Sequence, residues 1–127
     1  MILGIEDADM LNPQKVKIID GIAGAGKSSK LDTFFKSHGI PYLRTTSTNQ
    51  LARAAAARYP GTECRTICSA LFDNREGFYH DEKDPEIHTI VIDEILQTTP
   101  AVYAWIRHHR GAYNIIVTTD SQQMLNE

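Results

Sequence analysis

Residues 21–28 read Gly-Ile-Ala-Gly-Ala-Gly-Lys-Ser and follow directly on the apolar run Val16, Lys17, Ile18, Ile19. A strand must therefore hand over to a helix through a glycine-rich loop, and few folds accept such a unit. Glycine is what the loop needs, because its backbone has to wind tightly enough for successive N–H groups to converge on an anion. The spacing G-x-x-x-x-G-K-S is that of a phosphate-binding loop. Gly21, Ile22, Ala23, Gly24, Ala25 and Gly26, with Lys27, Ser28 and Ser29, are expected to cradle the phosphates of ATP or another nucleoside triphosphate. In that arrangement Lys27 reaches the β and γ phosphates and the Ser28 hydroxyl ligates Mg²⁺.

The rest of the chain alternates strand and helix, which predicts an α/β domain with a mainly parallel sheet. Strands are expected at 16–20, 42–44, 64–67, 88–92 and 113–118. Helices are expected at 27–37, with Leu31, Phe34 and Phe35 inward, at 50–59 after an Asn49 cap, at 69–72, and at 100–109 with Val102, Trp105, Ile106 and His109 at helical spacing. Residues 73–88 have no periodicity and read as a loop or loose hairpin.

Length and composition narrow the class. With 127 residues, 42% hydrophobic and 23% charged, the chain suits one globular domain. No apolar stretch approaches the roughly 20 residues of a membrane span. Glu6, Asp7 and Asp9 stand where a secretion signal carries a basic segment, and the expectation is a cytoplasmic protein without a membrane partner. Cys64 and Cys68 suit a reducing compartment, and with His80 and His88 they lack the usual spacing of a structural zinc site. The net charge of −3 hides an asymmetry. Lys27, Lys30, Lys36, Arg44, Arg53, Arg58 and Arg65 face only Asp32 and Glu63 over 27–65, whereas 73–94 is strongly acidic. The basic stretch reads either as a surface for a polyanion or as a solvated helix face.

The strand Ile90-Val91-Ile92 runs into Asp93-Glu94. Beside a phosphate loop, such a pair completes a hydrolytic site: Asp93 is expected to hold Mg²⁺, usually through water, and Glu94 to orient or deprotonate the attacking water. Three hydroxyl-rich or amide-bearing strand ends accompany it. Thr46, Ser47 and Thr48, and then Thr66 and Ser69, are candidates for phosphate contacts along a nucleic-acid strand, or else for helix capping. Gln123, in Thr119-Asp120-Ser121-Gln122-Gln123, is a candidate sensor of the γ-phosphate.

Taken in order, these segments resemble the first RecA-like domain of a superfamily 1 helicase. Gly21 to Ser28 is similar to motif I, Thr45 to Ala52 to motif Ia, Thr66 to Ser69 to the Thr-x-x-Ser of motif Ib, Asp93-Glu94 to motif II and Thr119 to Gln123 to motif III. The compact spacing resembles viral members most, with Pif/RecD-like phage and cellular enzymes next. The resemblance implies a P-loop NTPase built as a RecA-like three-layer sandwich at 15–127 after an extension at 1–14, taking ATP or another NTP with Mg²⁺ and single-stranded DNA or RNA as partner. It also implies a motor domain acting in viral or phage replication, in the host cytoplasm if viral. Thr119 stands where the family has glycine, and Cys68 where many relatives have histidine. A second RecA-like domain, which in the family supplies an arginine finger, is not contained in residues 1–127, so it is expected in a parent protein and weak activity is expected of this chain. Two other readings share the phosphate loop: a small nucleotide kinase with 73–88 as its lid, and a nucleotide- or strand-binding module without turnover.

Overall fold

The computed structural model describes residues 2–20, 26–71, 86–94 and 100–119. Its elements run α1 (Asp7–Met10), β1 (Lys17–Asp20), α2 (Lys27–Ser37), β2 (Tyr42–Thr46), α3 (Asn49–Arg58), β3 (Glu63–Thr66), α4 (Ile67–Leu71), β4 (Thr89–Ile92), α5 (Pro100–His109) and β5 (Asn114–Thr119). The strands form one five-stranded sheet in the order β1-β5-β4-β2-β3, and every pairing is parallel.

Period-two alternation divides the side chains of the central strands between two cores. On one face Ile90, Ile92, Ile115, Val117 and Leu43 pack with Ile67, Ala70 and Leu71 of α4 and Val102, Trp105 and Ile106 of α5. On the other, Val91, Ile116, Ile19 and Tyr42 pack with Met10 of α1 and Leu31, Phe34 and Phe35 of α2. Helices thus cover both faces, as the α/β reading expects. The first residues are part of this packing: Met10 is fully buried, Ile2, Leu3, Ile5 and Leu11 lie against the second core, and Asn114 Nδ2 donates to the Met10 carbonyl at 3.0 Å.

Several local expectations shift. The α3 cap is Thr48 rather than Asn49: Thr48 has the extended backbone of a cap (φ −133, ψ 157) and its hydroxyl accepts the Leu51 N–H at 3.2 Å. The third strand begins at Glu63 and ends at Thr66, with Ile67 opening the next helix. Strand β3 is at the sheet edge with all residues half-buried, which blurs the apolar signal that placed it one residue later. α1 had no sequence signature, being too short for a helical period.

In a parallel sheet all carboxyl ends share one edge, where loops and helix N-termini of α/β proteins gather their ligands. Here that edge carries the last residues of all five strands. The amino edge is closed differently. The buried Lys17 ammonium donates to the Asn12 carbonyl at 2.7 Å and to Asn114 Oδ1. Burial pushes Lys17 down to about 8, with Asp9 pulling the other way and Lys15 adding slightly to the fall.

Candidate functional site

α2 starts where the glycine loop ends. Gly26 takes φ 80, a left-handed conformation that glycine adopts without strain, and its carbonyl accepts the Lys30 N–H at 2.9 Å. Leu31, Phe34 and Phe35 anchor the helix as expected, and Asp32 ties it to its neighbours. Asp32 Oδ1 accepts from Tyr42 Oη at 2.6 Å and from Thr62 Oγ1 at 3.1 Å, and Oδ2 pairs with Lys36 at 3.0 Å. Burial alone would raise the Asp32 carboxyl, but these three donors hold it below the ordinary carboxylate range. Burial, together with the bond to Asp32, pushes the Tyr42 phenol up to about 12.

The acidic strand is not a direct neighbour of the loop strand. β5 lies between β1 and β4, because the α5 crossover returns the chain into that gap. Its last residues bridge the two halves of the site. Lys27 Nζ donates to the Thr119 carbonyl at 2.9 Å. Thr118 Oγ1 donates to Asp93 Oδ1 at 3.2 Å and accepts the Glu94 N–H at 3.1 Å. Asp93 continues the ladder through its own N–H, which donates to Thr45 O at 3.0 Å. Glu94 has φ 55, in the left-handed region that costs a residue with a Cβ of order 1 kcal/mol or more and that recurs at functional sites.

The residue that organises this end was not among the sequence candidates. Arg44, read as part of a basic surface, has 0% exposure. Its Nη1 donates to Asp93 Oδ2 at 3.0 Å, its Nη2 to the Ser28 carbonyl at 3.1 Å and to Tyr42 Oη at 3.0 Å, and its guanidinium lies 4.5 Å from the Tyr59 ring centroid. Burial works against the charge, yet the Asp93 carboxylate and the Tyr42 oxygen hold the group above the ordinary arginine range. The available signal was a charged residue two positions after Tyr42 in a strand otherwise able to be buried on both faces.

The hydroxyl-rich turns are arranged more locally. Thr46 is 4% exposed and donates its proton to Thr48 O at 3.0 Å, so it does not present a donor to a ligand in this conformation. Thr48 caps α3, leaving its O–H uncommitted by that bond, and Ser47 is half-buried beside it. Thr66 Oγ1 accepts the Ser69 N–H at 3.2 Å and Ser69 Oγ donates to Thr66 O at 3.2 Å, both exposed. The capping role read for these residues is realised in Thr48 and in the Thr66–Ser69 pair.

A cleft of about 210 Å³ opens at the carboxyl edge, lined by Gly26, Lys27, Ser28, Arg58, Tyr59 and Glu94, with Ser29 also on its wall. Lys27, Ser28 and Glu94 thus meet, and Asp93 joins them through Arg44 and Thr118. Gly21, Ile22, Ala23, Gly24 and Ala25 of the loop, Gln123 with Asp120, and the 73–85 part of the segment read as a loop lie outside the described residues. Arg107, in the last turn of α5, and Arg110, just after it, are exposed and precede the amino end of β5, at the edge away from Lys27. Gln14 lies beside Gly111 on that same edge. Cys64 and Cys68 are free thiols, with Cys64 raised by burial, and among the described residues no three His, Cys, Asp or Glu side chains stand together as a metal site.

The donor chemistry suits a magnesium nucleotide. Ser28 and Asp93 offer hard oxygen ligands, and Mg²⁺ keeps several waters and uses one or two carboxylates plus substrate phosphates. Thr119 Oγ1 is buried at the edge of the site without a hydrogen-bond partner, as a position completed by ligand or water would be.

Among known families, the model of the viral superfamily 1 RNA helicase core domain matches residues 17–127. Compared with the curated proteins, the chain has no match.

Proposed function

The chain belongs to the viral superfamily 1 RNA helicase core domain family, and from that premise we propose that it is the NTP-hydrolysing half of a motor that moves along single-stranded RNA during viral replication. Its α/β fold is that of a RecA-like P-loop domain, spanning 15–127 in this reading. The observation that carries the reading is the convergence of Lys27, Ser28, Asp93 and Glu94 on one edge through the two threonines that end β5.

In this mechanism Lys27 leaves the Thr119 carbonyl for the β and γ phosphates, and the loop N–H groups of 21–26 surround them. Ser28 and Asp93 would hold Mg²⁺, which would supply neutralisation of phosphate charge when bound with the nucleotide. Arg44 fixes the orientation of Asp93 and, through the Ser28 carbonyl, the start of α2. Glu94 positions the attacking water and Gln123 senses the γ-phosphate. Ser47, Thr48, Thr66 and Ser69 approach the strand backbone, with Thr46 supporting their turn. A second RecA-like domain is proposed to supply the arginine finger, a contribution of about 10³ to 10⁵ in rate where it operates. The 127-residue chain should therefore bind nucleotide and turn it over slowly. No described helix is long and apolar enough to cross a membrane.

The test is nucleotide binding and hydrolysis by the chain with and without single-stranded RNA or DNA. Lys27→Ala should abolish binding. Stimulation by RNA supports the motor reading; hydrolysis indifferent to either strand, or unchanged affinity in Lys27→Ala, overturns it.

A further inference from the structure

α3 connects the two kinds of chemistry at the carboxyl edge. It begins at the Thr48 cap in the hydroxyl-rich turn, and its last residue, Arg58, reaches the nucleotide cleft. Arg58 Nη2 lies 3.4 Å from Ser29 Oγ, on the first turn of α2, and its guanidinium is 5.7 Å from the Tyr59 ring centroid. Tyr59 Oη in turn lies 3.3 Å from the same serine oxygen. The buried Tyr59 ring, next to Arg58, lies against the Arg44 guanidinium.

The contrast between the two arginines is informative. Arg44 is buried and committed to Asp93, whereas Arg58 is exposed and, among the described residues, has no carboxylate in an ion pair. Arg58 lines the same cleft as Lys27 and Glu94. A guanidinium fork suits phosphate oxygens, and a bond between the two ions is stronger than its present one to a serine hydroxyl.

We propose that Arg58 binds the terminal phosphate of the nucleoside triphosphate in cis and so discriminates triphosphate from diphosphate. This rests on the cleft being the nucleotide site. Lys27 and the loop amides hold the β and γ phosphates from the side of α2, and Arg58 approaches from the end of α3. Glu94, the residue assigned to the attacking water, marks where the transferred phosphoryl group must lie, and Arg58 shares that part of the cleft. A diphosphate ends short of it. Arg58 therefore does for the ground state, within this domain, part of what an arginine from a second domain does for the transition state.

The experiment compares a non-hydrolysable ATP analogue with ADP, each with Mg²⁺, by equilibrium binding to the wild-type chain, Arg58→Gln, Arg58→Lys and Lys27→Ala. Arg58→Gln should lose about tenfold or more in triphosphate affinity, as expected for a lost bond to a charged group, with ADP affinity unchanged. Arg58→Lys should recover part of the loss, and both Arg58 variants, changed at an exposed position, should melt as the wild type does. Equal binding of both nucleotides by wild type and Arg58→Gln, or equal loss of both in Arg58→Gln, overturns the assignment. Lys27→Ala separates this from the site itself: if it binds both nucleotides as the wild type does, the cleft is not the nucleotide site and the proposal falls with it.

Discussion

Two buried cations sit at opposite edges of one sheet, beneath the same α1 and α2 layer, and burial has opposite outcomes for them. Arg44 at the carboxyl edge faces the Asp93 carboxylate and keeps its charge more firmly than a free arginine. Lys17 at the amino edge is bonded to the Asn12 carbonyl and the Asn114 amide oxygen, both neutral, and its ammonium is weakened to about 8. Desolvation disfavours both charges, and only an opposite charge of fixed geometry repays it. The carboxyl edge is thus built to hold charges in place before a polyanionic ligand arrives. The amino edge is a clamp joining α1, β1 and β5.

The largest effect should come from breaking the charged pair. Arg44→Ala leaves Asp93 without its guanidinium, removes a donor from the Ser28 carbonyl and opens a space over Tyr59. A loss of about 3 to 5 kcal/mol in unfolding free energy is expected, as for one partner removed from a buried pair. Arg44→Lys should recover little of it, since one ammonium cannot reproduce a fork that serves Asp93, Ser28 and Tyr42 together. Urea unfolding checks both; a loss under about 1 kcal/mol for Arg44→Ala would show the pair to be no stronger than a surface one.

The Lys17 clamp should reveal itself through pH. Its folded value of about 8 lies below the 10.5 of an ordinary lysine. At pH 7 the lysine is protonated in both states, and burial of the charge opposes folding. As pH rises through 8 the folded chain releases a proton that the unfolded chain keeps until 10.5, so stability climbs across that window, by at most about 3 kcal/mol. Tyr42 and Cys64 act the other way: both are raised in the fold, so their contributions fall as pH rises through the unfolded values of 10.0 and 9.0. The wild type minus Lys17→Met difference isolates the lysine. Melting temperatures from pH 7 to 10 should rise for the wild type relative to Lys17→Met, and parallel curves would refute the neutral clamp.

How much of this was legible before the structure depends on the range of each interaction. The bounds of α2 and α5 were readable because a glycine loop and Pro100 open them and their apolar residues recur at helical spacing. The strands were readable from Ile90-Val91-Ile92 and Ile115-Ile116-Val117, though not that β5 would enter between β1 and β4, since order in a parallel sheet follows from crossovers. At the site, Lys27, Ser28, Asp93 and Glu94 were named from local motifs. Arg44, Thr118 and Arg58 were not, because what singles them out is contact with residues 16 to 49 positions away. Thr46 shows the short-range counterpart: its hydroxyl donates to the Thr48 carbonyl two residues on, a bond the hydroxyl-rich run did not specify.

The smallest expected effect concerns that turn and separates capping from binding. Thr48→Ala should cost about 1 kcal/mol through loss of the α3 cap, and this outcome follows whether or not a strand binds there. Thr48→Asp is the sharper change. Aspartate is at least as good a cap as threonine, so stability should stay close to wild type. It also puts a negative charge where a nucleic-acid phosphate would approach, against the neighbouring basic helix. Single-stranded RNA affinity, read at low salt where phosphate contacts weigh most, should fall several-fold in Thr48→Asp and the gap should narrow as salt is raised. A stable variant that binds RNA as the wild type does would leave Thr48 a cap alone and move the strand track away from the end of β2.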